Sequence, residues 1–139
     1  MFEKCLYFNS NALARTVSRI WTEAYKEFDL SPPHAFLVRL VLSNPGILPR
    51  EIAEELSLSR STVTRFLDSL EKKGFLERKT MSSDGREVQV YPTPQAMKIH
   101  DGLVKTKESL MIKMGALFGE NELLETVGKL RDVRNKLEK

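Results

Sequence analysis

Apolar residues recur along most of this chain at steps of three and four positions, which is the spacing of one face of an α-helix. The pattern is cleanest in a segment whose regularly spaced apolar residues are Val63, Phe66, Leu67 and Leu70. Between helix-breaking residues, this periodicity predicts six helices, at 9–28, 33–43, 49–56, 60–73, 94–118 and 120–136.

Residues that start and stop helices separate these segments. Ser31 and Thr93 each stand directly before a proline, an order typical of an N-cap followed by the first helical residue. Gly74 follows the fourth segment and is suited to a C-cap. In the second helix, the pattern predicts four buried side chains, which are Phe36, Leu37, Leu40 and Val41.

The periodicity changes after the fourth helix. Strand-like segments at 75–80 and 86–91 are separated by a polar stretch that ends in Asp84-Gly85, a combination typical of a β-hairpin. The fold is therefore predicted to be mostly α with a small β-hairpin. A pair of helices followed directly by such a hairpin indicates a winged helix-turn-helix.

The chain has 139 residues, which fits a single domain, 1–139, with one core. Within it, residues of about 32–92 are expected to form the winged helix. Residues of about 1–30 and 94–139 are expected to form a helical dimerisation part. The apolar faces of these terminal helices would be poorly covered in one small domain, whereas pairing them about a twofold axis buries them.

Composition limits the location and the chemistry. No apolar run reaches the roughly 18 residues of a membrane helix, and the N-terminus has no secretion signal, so we expect a cytoplasmic protein without a membrane partner. The single cysteine, Cys5, excludes an internal disulfide and a multi-cysteine metal site. His34 and His100 have no further ligand at suitable spacing, so we expect no metal and no cofactor.

Charge permits a nucleic-acid partner. The formal net charge is +3, and residues 59–86 contain seven Lys and Arg against four Asp and Glu, which accounts for the whole excess. A solvated charged surface is the alternative interpretation of this segment. The sequence has no glycine-rich phosphate loop, no GxSxG motif and no metal signature, so an enzyme is not predicted.

Residues 49–66 have the pattern of two helices that cross at a steep angle around a tight turn, with Ala53 small at the closest approach. In a helix-turn-helix the second helix lies in the major groove. Its outer face here offers guanidiniums and hydroxyls for phosphates and base edges, from Arg60, Ser61, Thr62, Thr64 and Arg65. A helical hairpin in an α-helical core is the alternative.

The β-hairpin favours the winged helix over that alternative. Its candidate DNA contacts are Lys79, Asp84 and Arg86. A narrow minor groove attracts a cation such as Arg86 through its concentrated negative potential. Asp84 can hold that guanidinium extended, and it is equally suited to stabilising the turn.

The order of elements resembles the MarR family of bacterial transcriptional regulators. The resemblance is carried mainly by residues 52–56, 61–65, 70–78 and 84–86. It implies a homodimer built from the first, fifth and sixth helices. It also implies that the wing arginine, Arg86, enters the minor groove.

We therefore expect a sequence-specific transcriptional regulator that binds double-stranded DNA. We expect it to act as a repressor, in the form of a homodimer on palindromic sites. A winged-helix module that binds a protein and not DNA is the alternative, since a fold does not settle function. The arginines and hydroxyls of the fourth helix favour DNA.

Regulators of this family commonly respond to a small molecule or an oxidant. Candidate residues for an effector pocket, which also fit a plain core, are Trp21, Tyr25, His34 and Phe36. Cys5 precedes the first helix, which resembles the peroxide-sensing branch of the family. It is therefore a candidate redox residue, with an incidental cysteine as the alternative.

Overall fold

Helices make up most of the chain. The computed structural model describes residues 1–81 and 87–139, so the predictions for Asp84 and Arg86 lie outside the described residues. The elements are α1 Leu6–Tyr25, a 3-10 turn Lys26–Phe28, α2 Pro32–Ser43, α3 Pro49–Leu56, α4 Arg60–Lys72, β1 Leu76–Thr80, β2 Val88–Pro92, α5 Pro94–Phe118 and α6 Glu120–Leu137. The chain divides into two compact units, 1–104 and 105–139.

The predicted caps are present. Ser31 is the N-cap of α2, and its side chain accepts a hydrogen bond from the backbone N–H of His34 at 3.3 Å. Thr93 precedes α5, and its hydroxyl accepts from the N–H of Ala96 and donates to the carbonyl of Gly74. Gly74 has a φ of +86, the left-handed conformation expected of a glycine that ends a helix.

The turn between α3 and α4 uses a strained residue. Ser57 ends α3 with a φ of +55, a conformation that costs a non-glycine residue roughly 1–2 kcal/mol. Two residues later, Ser59 caps α4 by accepting a hydrogen bond from the N–H of Thr62 at 3.2 Å. The chain therefore reverses within a few residues and starts α4 at Arg60, as the sequence predicts.

The hairpin is anchored on both sides of β2. Strands β1 and β2 pair antiparallel, from Leu76 opposite Pro92 to Thr80 opposite Val88. The loop before α3 pairs with the other edge of β2, where the N–H of Val90 donates to the carbonyl of Ile47 at 2.9 Å. Val90 is fully buried. The base of the wing is thus fixed to the helix-turn-helix, a contact that the sequence pattern does not predict.

The core of the first unit is formed mainly by α2, α4 and the hairpin. Two predictions for α2 are wrong, because Phe36 is 37% exposed and Leu40 is half-buried, while Ala35 and Val38 are buried. The inward face of α2 is rotated from the predicted one, and the Phe36 ring lies edge-on to Tyr25 at 6.1 Å. The fully buried side chains of this unit include Tyr25, Leu37, Val41, Ile52, Val63, Leu70 and Leu103.

The second unit contains the end of α5 and all of α6, joined at Gly119, whose φ is +84. Leu110 and Met114 are buried, but α6, every residue of which is described, contributes no buried side chain. Its half-exposed apolar residues are Leu124, Val127, Leu130 and Leu137. Among the described helices, none is both long enough and apolar enough to cross a membrane.

Candidate nucleic-acid interface

The first turns of α4 carry the predicted DNA contacts. Four of the five side chains are exposed, namely Arg60, Ser61, Thr64 and Arg65, and Thr62 is half-buried. The opposite face of the helix places Val63, Leu67 and Leu70 in the core. The structure therefore brings the five predicted residues of α4 to one end of a helix that is fixed from behind.

A hydroxyl network orders this surface. The Ser59 hydroxyl donates to Thr62 Oγ1 at 2.8 Å, and Arg65 Nη2 donates to the same oxygen at 3.3 Å. Thr62 thus acts as an acceptor that helps to hold the Arg65 guanidinium along the helix. Arg65 still has further N–H groups to offer to a ligand, since a guanidinium carries five donors.

Thr64 has a different hydrogen-bonding capacity. Its hydroxyl donates to the carbonyl of Arg60 at 3.0 Å, within the helix. Its single proton is therefore used, and the oxygen remains available as an acceptor beside an exposed methyl group. This combination suits an amino group or a thymine methyl in the major groove better than a phosphate.

The described part of the wing supplies Lys79. Its side chain is exposed, with Nζ 4.9 Å from the centre of the Tyr91 ring and 3.4 Å from Glu77 Oε1. Lys79 and Tyr91 lie on adjacent strands, so the contact places the ammonium group on the hairpin surface. The two other predicted wing residues, Asp84 and Arg86, lie outside the described residues.

One cation of the basic segment is already engaged. Arg78 Nη2 lies 2.7 Å from Asp68 Oδ1 and 2.8 Å from Glu71 Oε1, and the Arg78 backbone N–H also donates to Glu71. These hydrogen bonds lower the pKa of Glu71 and raise that of Arg78. We call this group the Arg78 clamp. It joins α4 to β1, so Arg78 serves the fold and is poorly placed to serve DNA.

Arg50 is a surface cation that the sequence analysis missed. It lies in the first turn of α3, and its Nη1 is 3.1 Å from Glu87 Oε1, just before β2. The pair borders a cleft of about 320 Å³ that is also lined by Arg60 and Thr64 of α4. Because Arg50 and Glu87 are 37 positions apart, no local pattern in the sequence indicates that they meet.

Of the four residues predicted for an effector pocket, three take part in two separate aromatic contacts. Tyr25 is fully buried against the ring of Phe36, and its hydroxyl has no hydrogen-bond partner among the described residues. Burial raises the pKa of Tyr25, and the nearby Arg39 offsets part of that effect. Trp21, one helical turn before Tyr25, is half-buried.

His34 contacts α4. Its ring lies 4.5 Å from that of Phe66, edge to face. Partial burial lowers the pKa of His34, and the positive charge of Lys73 lowers it further. The contact joins the first turn of α2 to the middle of α4, which a pattern of aromatics along one helix does not predict.

Cys5 stands at the N-cap position of α1 and is exposed, with its side chain making no cap hydrogen bond. Its position before the first helix agrees with the prediction, while its redox role stays a prediction. Within residues 1–81 and 87–139, no group of three or more His, Cys, Asp and Glu side chains is arranged to hold a metal ion.

Sequence comparison finds a family match over part of the chain and relatives over more of it. The model of the MarR family matches residues 30–88. The chain is 27% identical over 130 residues to YybA of Bacillus subtilis, an uncharacterized HTH-type transcriptional regulator, covering 91% of this chain and 85% of that protein. It is 39% identical over 92 residues to YfiV of the same organism, covering 62% of this chain and 57% of YfiV.

A solved structure extends the likeness to almost the whole chain. The MepR–DNA complex of S. aureus superposes with a TM-score of 0.85, covering 97% of this chain and 99% of MepR at 16% identity. At that identity the comparison shows the fold. The winged helix-turn-helix predicted from the sequence is therefore confirmed.

Proposed function

Residues 30–88 are a MarR-family domain, and on that premise we propose that this transcriptional regulator binds specific double-stranded DNA sites as a homodimer. The family consists of regulators and not enzymes. The observation that carries the proposal is the exposed face of α4, where Arg60 and Arg65 flank hydroxyl side chains at the start of a recognition helix. Guanidiniums and hydroxyls are the groups that contact phosphates and base edges.

A homodimer on palindromic sites is supported by the apolar side chains of the second unit. Leu124, Val127 and Leu130 are at least 49% exposed and recur at helical spacing along α6. Met111 and Ile112 of α5 line a cleft of about 370 Å³ with residues of α6. A second copy would cover these side chains about a twofold axis, and a twofold protein matches a palindromic site.

The proposed regulation is repression that a small ligand or an oxidant relieves. The buried Tyr25 hydroxyl supports a ligand-responsive region beside Phe36. It has no hydrogen-bond partner among the described residues, and a buried hydroxyl left in that state is costly unless a bound group satisfies it. The exposed position of Cys5 supports access for an oxidant.

The experiment is a selection of bound fragments from genomic DNA, followed by titration of the selected duplex and of its single base-pair variants. Arg65→Ala should relax discrimination at one base pair in each half-site by about 1–3 kcal/mol if Arg65 reads a base edge. Arg15→Ala, an exposed arginine of α1, is the matched control and should keep the wild-type preference.

A wild-type protein that is folded, as judged by circular dichroism, and yet selects no DNA would contradict the proposal. In that case a winged-helix module that binds a protein would take its place. Retained affinity and retained discrimination in Arg65→Ala would instead remove Arg65 from the interface while leaving DNA binding intact.

A further inference from the structure

Three elements of the winged helix enclose a small cleft beside the recognition helix. Leu48, Pro49 and Arg50 line it from the start of α3, Arg60 and Thr64 from α4, and Glu87 and Val88 from the start of β2. We call it the Arg50 cleft. Its volume is about 320 Å³, which is enough for a phosphate group but small for a drug-sized ligand.

The charges around the cleft are unequal. The residues that line it include two arginines, Arg50 and Arg60, and one acidic residue, Glu87. Arg50 and Glu87 are paired at 3.1 Å, with 58% and 49% of their side chains exposed. Exposed ion pairs contribute little to stability, because water and salt screen them. An incoming anion could therefore replace Glu87 at little cost to the fold.

We propose that a phosphate of the DNA backbone occupies the Arg50 cleft, and that Glu87 is a positioning residue that holds Arg50 until DNA replaces it. This inference rests on the DNA-binding function proposed above. In the free protein the carboxylate keeps the guanidinium extended across the cleft. In the complex a phosphate oxygen takes over the guanidinium, and Arg60 shares the same phosphate.

A backbone phosphate fits this place better than a base edge. In a helix-turn-helix the first helix crosses the sugar-phosphate backbone while the second enters the groove, and Arg50 belongs to the first, α3. A guanidinium binds phosphate with two parallel N–H groups, in the geometry it uses for a carboxylate. Arg50 meets Glu87 through one hydrogen bond, from Nη1, so the guanidinium has further N–H groups to offer a second phosphate oxygen.

The two residues should affect binding in opposite directions. Arg50 adds one cation contact per protomer, so its loss should weaken binding to all sequences alike and reduce the salt dependence. Glu87 competes for the same guanidinium and repels the phosphate. Its loss should tighten binding without reducing the salt dependence, which distinguishes competition from a purely structural role.

The test is a titration of the selected duplex with the full chain at several salt concentrations. For Arg50→Gln, the log–log slope should fall in magnitude by about one for each protomer bound. Glu87→Gln should bind on the order of a few-fold more tightly at low salt, with at least the wild-type slope. Arg50→Lys should keep the wild-type slope with weaker affinity, because lysine keeps the charge but cannot form the bidentate hydrogen bonds of a guanidinium to phosphate.

Arg15→Gln removes the same charge from an exposed position on α1 and should leave the slope unchanged. A wild-type slope in folded Arg50→Gln would overturn the phosphate contact. Weaker binding by folded Glu87→Gln would overturn the competition and make Glu87 a necessary support. Failure of the wild-type chain to bind any duplex would instead reject the proposed function, so the two failures are distinguishable.

Discussion

The two compact units differ in how much of their own apolar surface they cover. In residues 1–104, elements far apart in sequence meet around a core that includes Leu37, Leu70 and Val90, all fully buried. In residues 105–139, all of which are described, the buried apolar side chains are Leu110 and Met114. The first unit therefore carries its own core, whereas the second leaves most of its large apolar side chains half exposed.

This difference separates two sources of stability. A core that one chain completes contributes the same free energy of unfolding at any protein concentration. A surface that a second copy covers contributes more as the concentration rises, because association follows mass action. Substitutions in the two units should therefore differ in whether their effect depends on protein concentration.

The largest effect is expected for Leu70→Ala in the core of the first unit. Truncation of a fully buried leucine should lower the free energy of unfolding by about 2–5 kcal/mol. The loss should be the same in urea titrations at two protein concentrations that differ about 100-fold. Leu130→Ala on α6 is the matched substitution, and its loss should be smaller and should grow with concentration. If the loss for Leu130→Ala were also the same at both concentrations, this difference between the two units would be contradicted.

A smaller effect, about 100-fold or 3 kcal/mol in dimer dissociation, is expected for Leu130→Glu, since twofold symmetry would bury two carboxylates. Sedimentation equilibrium measures it. Asp132→Lys is a stringent control, because the exposed Asp132 lies on the opposite face of α6 from Leu130 and the substitution changes the charge by more. An unchanged dissociation constant for Leu130→Glu would place the dimer interface elsewhere.

The smallest effect concerns pH and is confined to the first unit. The pKa of His34 is lowered from 6.5 in the folded chain, so the unfolded chain binds the proton more readily. The contribution of His34 to stability should therefore be complete above about pH 6.5 and should be lost as the pH falls from there through the lowered pKa of the folded chain. Urea titrations between about pH 7.5 and 5.5 should show a shallower pH dependence for His34→Gln. If the free energy of unfolding of His34→Gln kept the wild-type pH dependence, His34 would not be the source of that dependence.

Much of the fold follows from local pattern. Ser31, Thr93 and Gly74 act where the sequence places them, because capping depends on a residue and its close neighbours along the chain. The outer face of α4 was predictable for the same reason. Once the buried positions of a helix are known, the helical period fixes which side chains remain outside.

The unpredicted features all depend on contacts between distant residues. Ile47 pairs with Val90, and Arg50 with Glu87, through tertiary packing that no spacing rule contains. Phe36 was expected to be buried, but the neighbours of α2 determine which of its apolar residues face inward. The separate contacts of Tyr25 and His34 have the same origin, since aromatic spacing along the chain does not specify the partner of each ring.

The Arg78 clamp has a consequence for the choice of DNA. It fixes the last turns of α4 to the start of the wing before any DNA is bound. A DNA-binding unit whose two elements are held at one angle leaves more of any misfit to the duplex, which must bend or change its groove width. Deformation is cheapest at flexible steps such as TA and CA. We therefore expect the protein to select DNA sites partly by how easily their sequence deforms, in addition to the bases that it contacts.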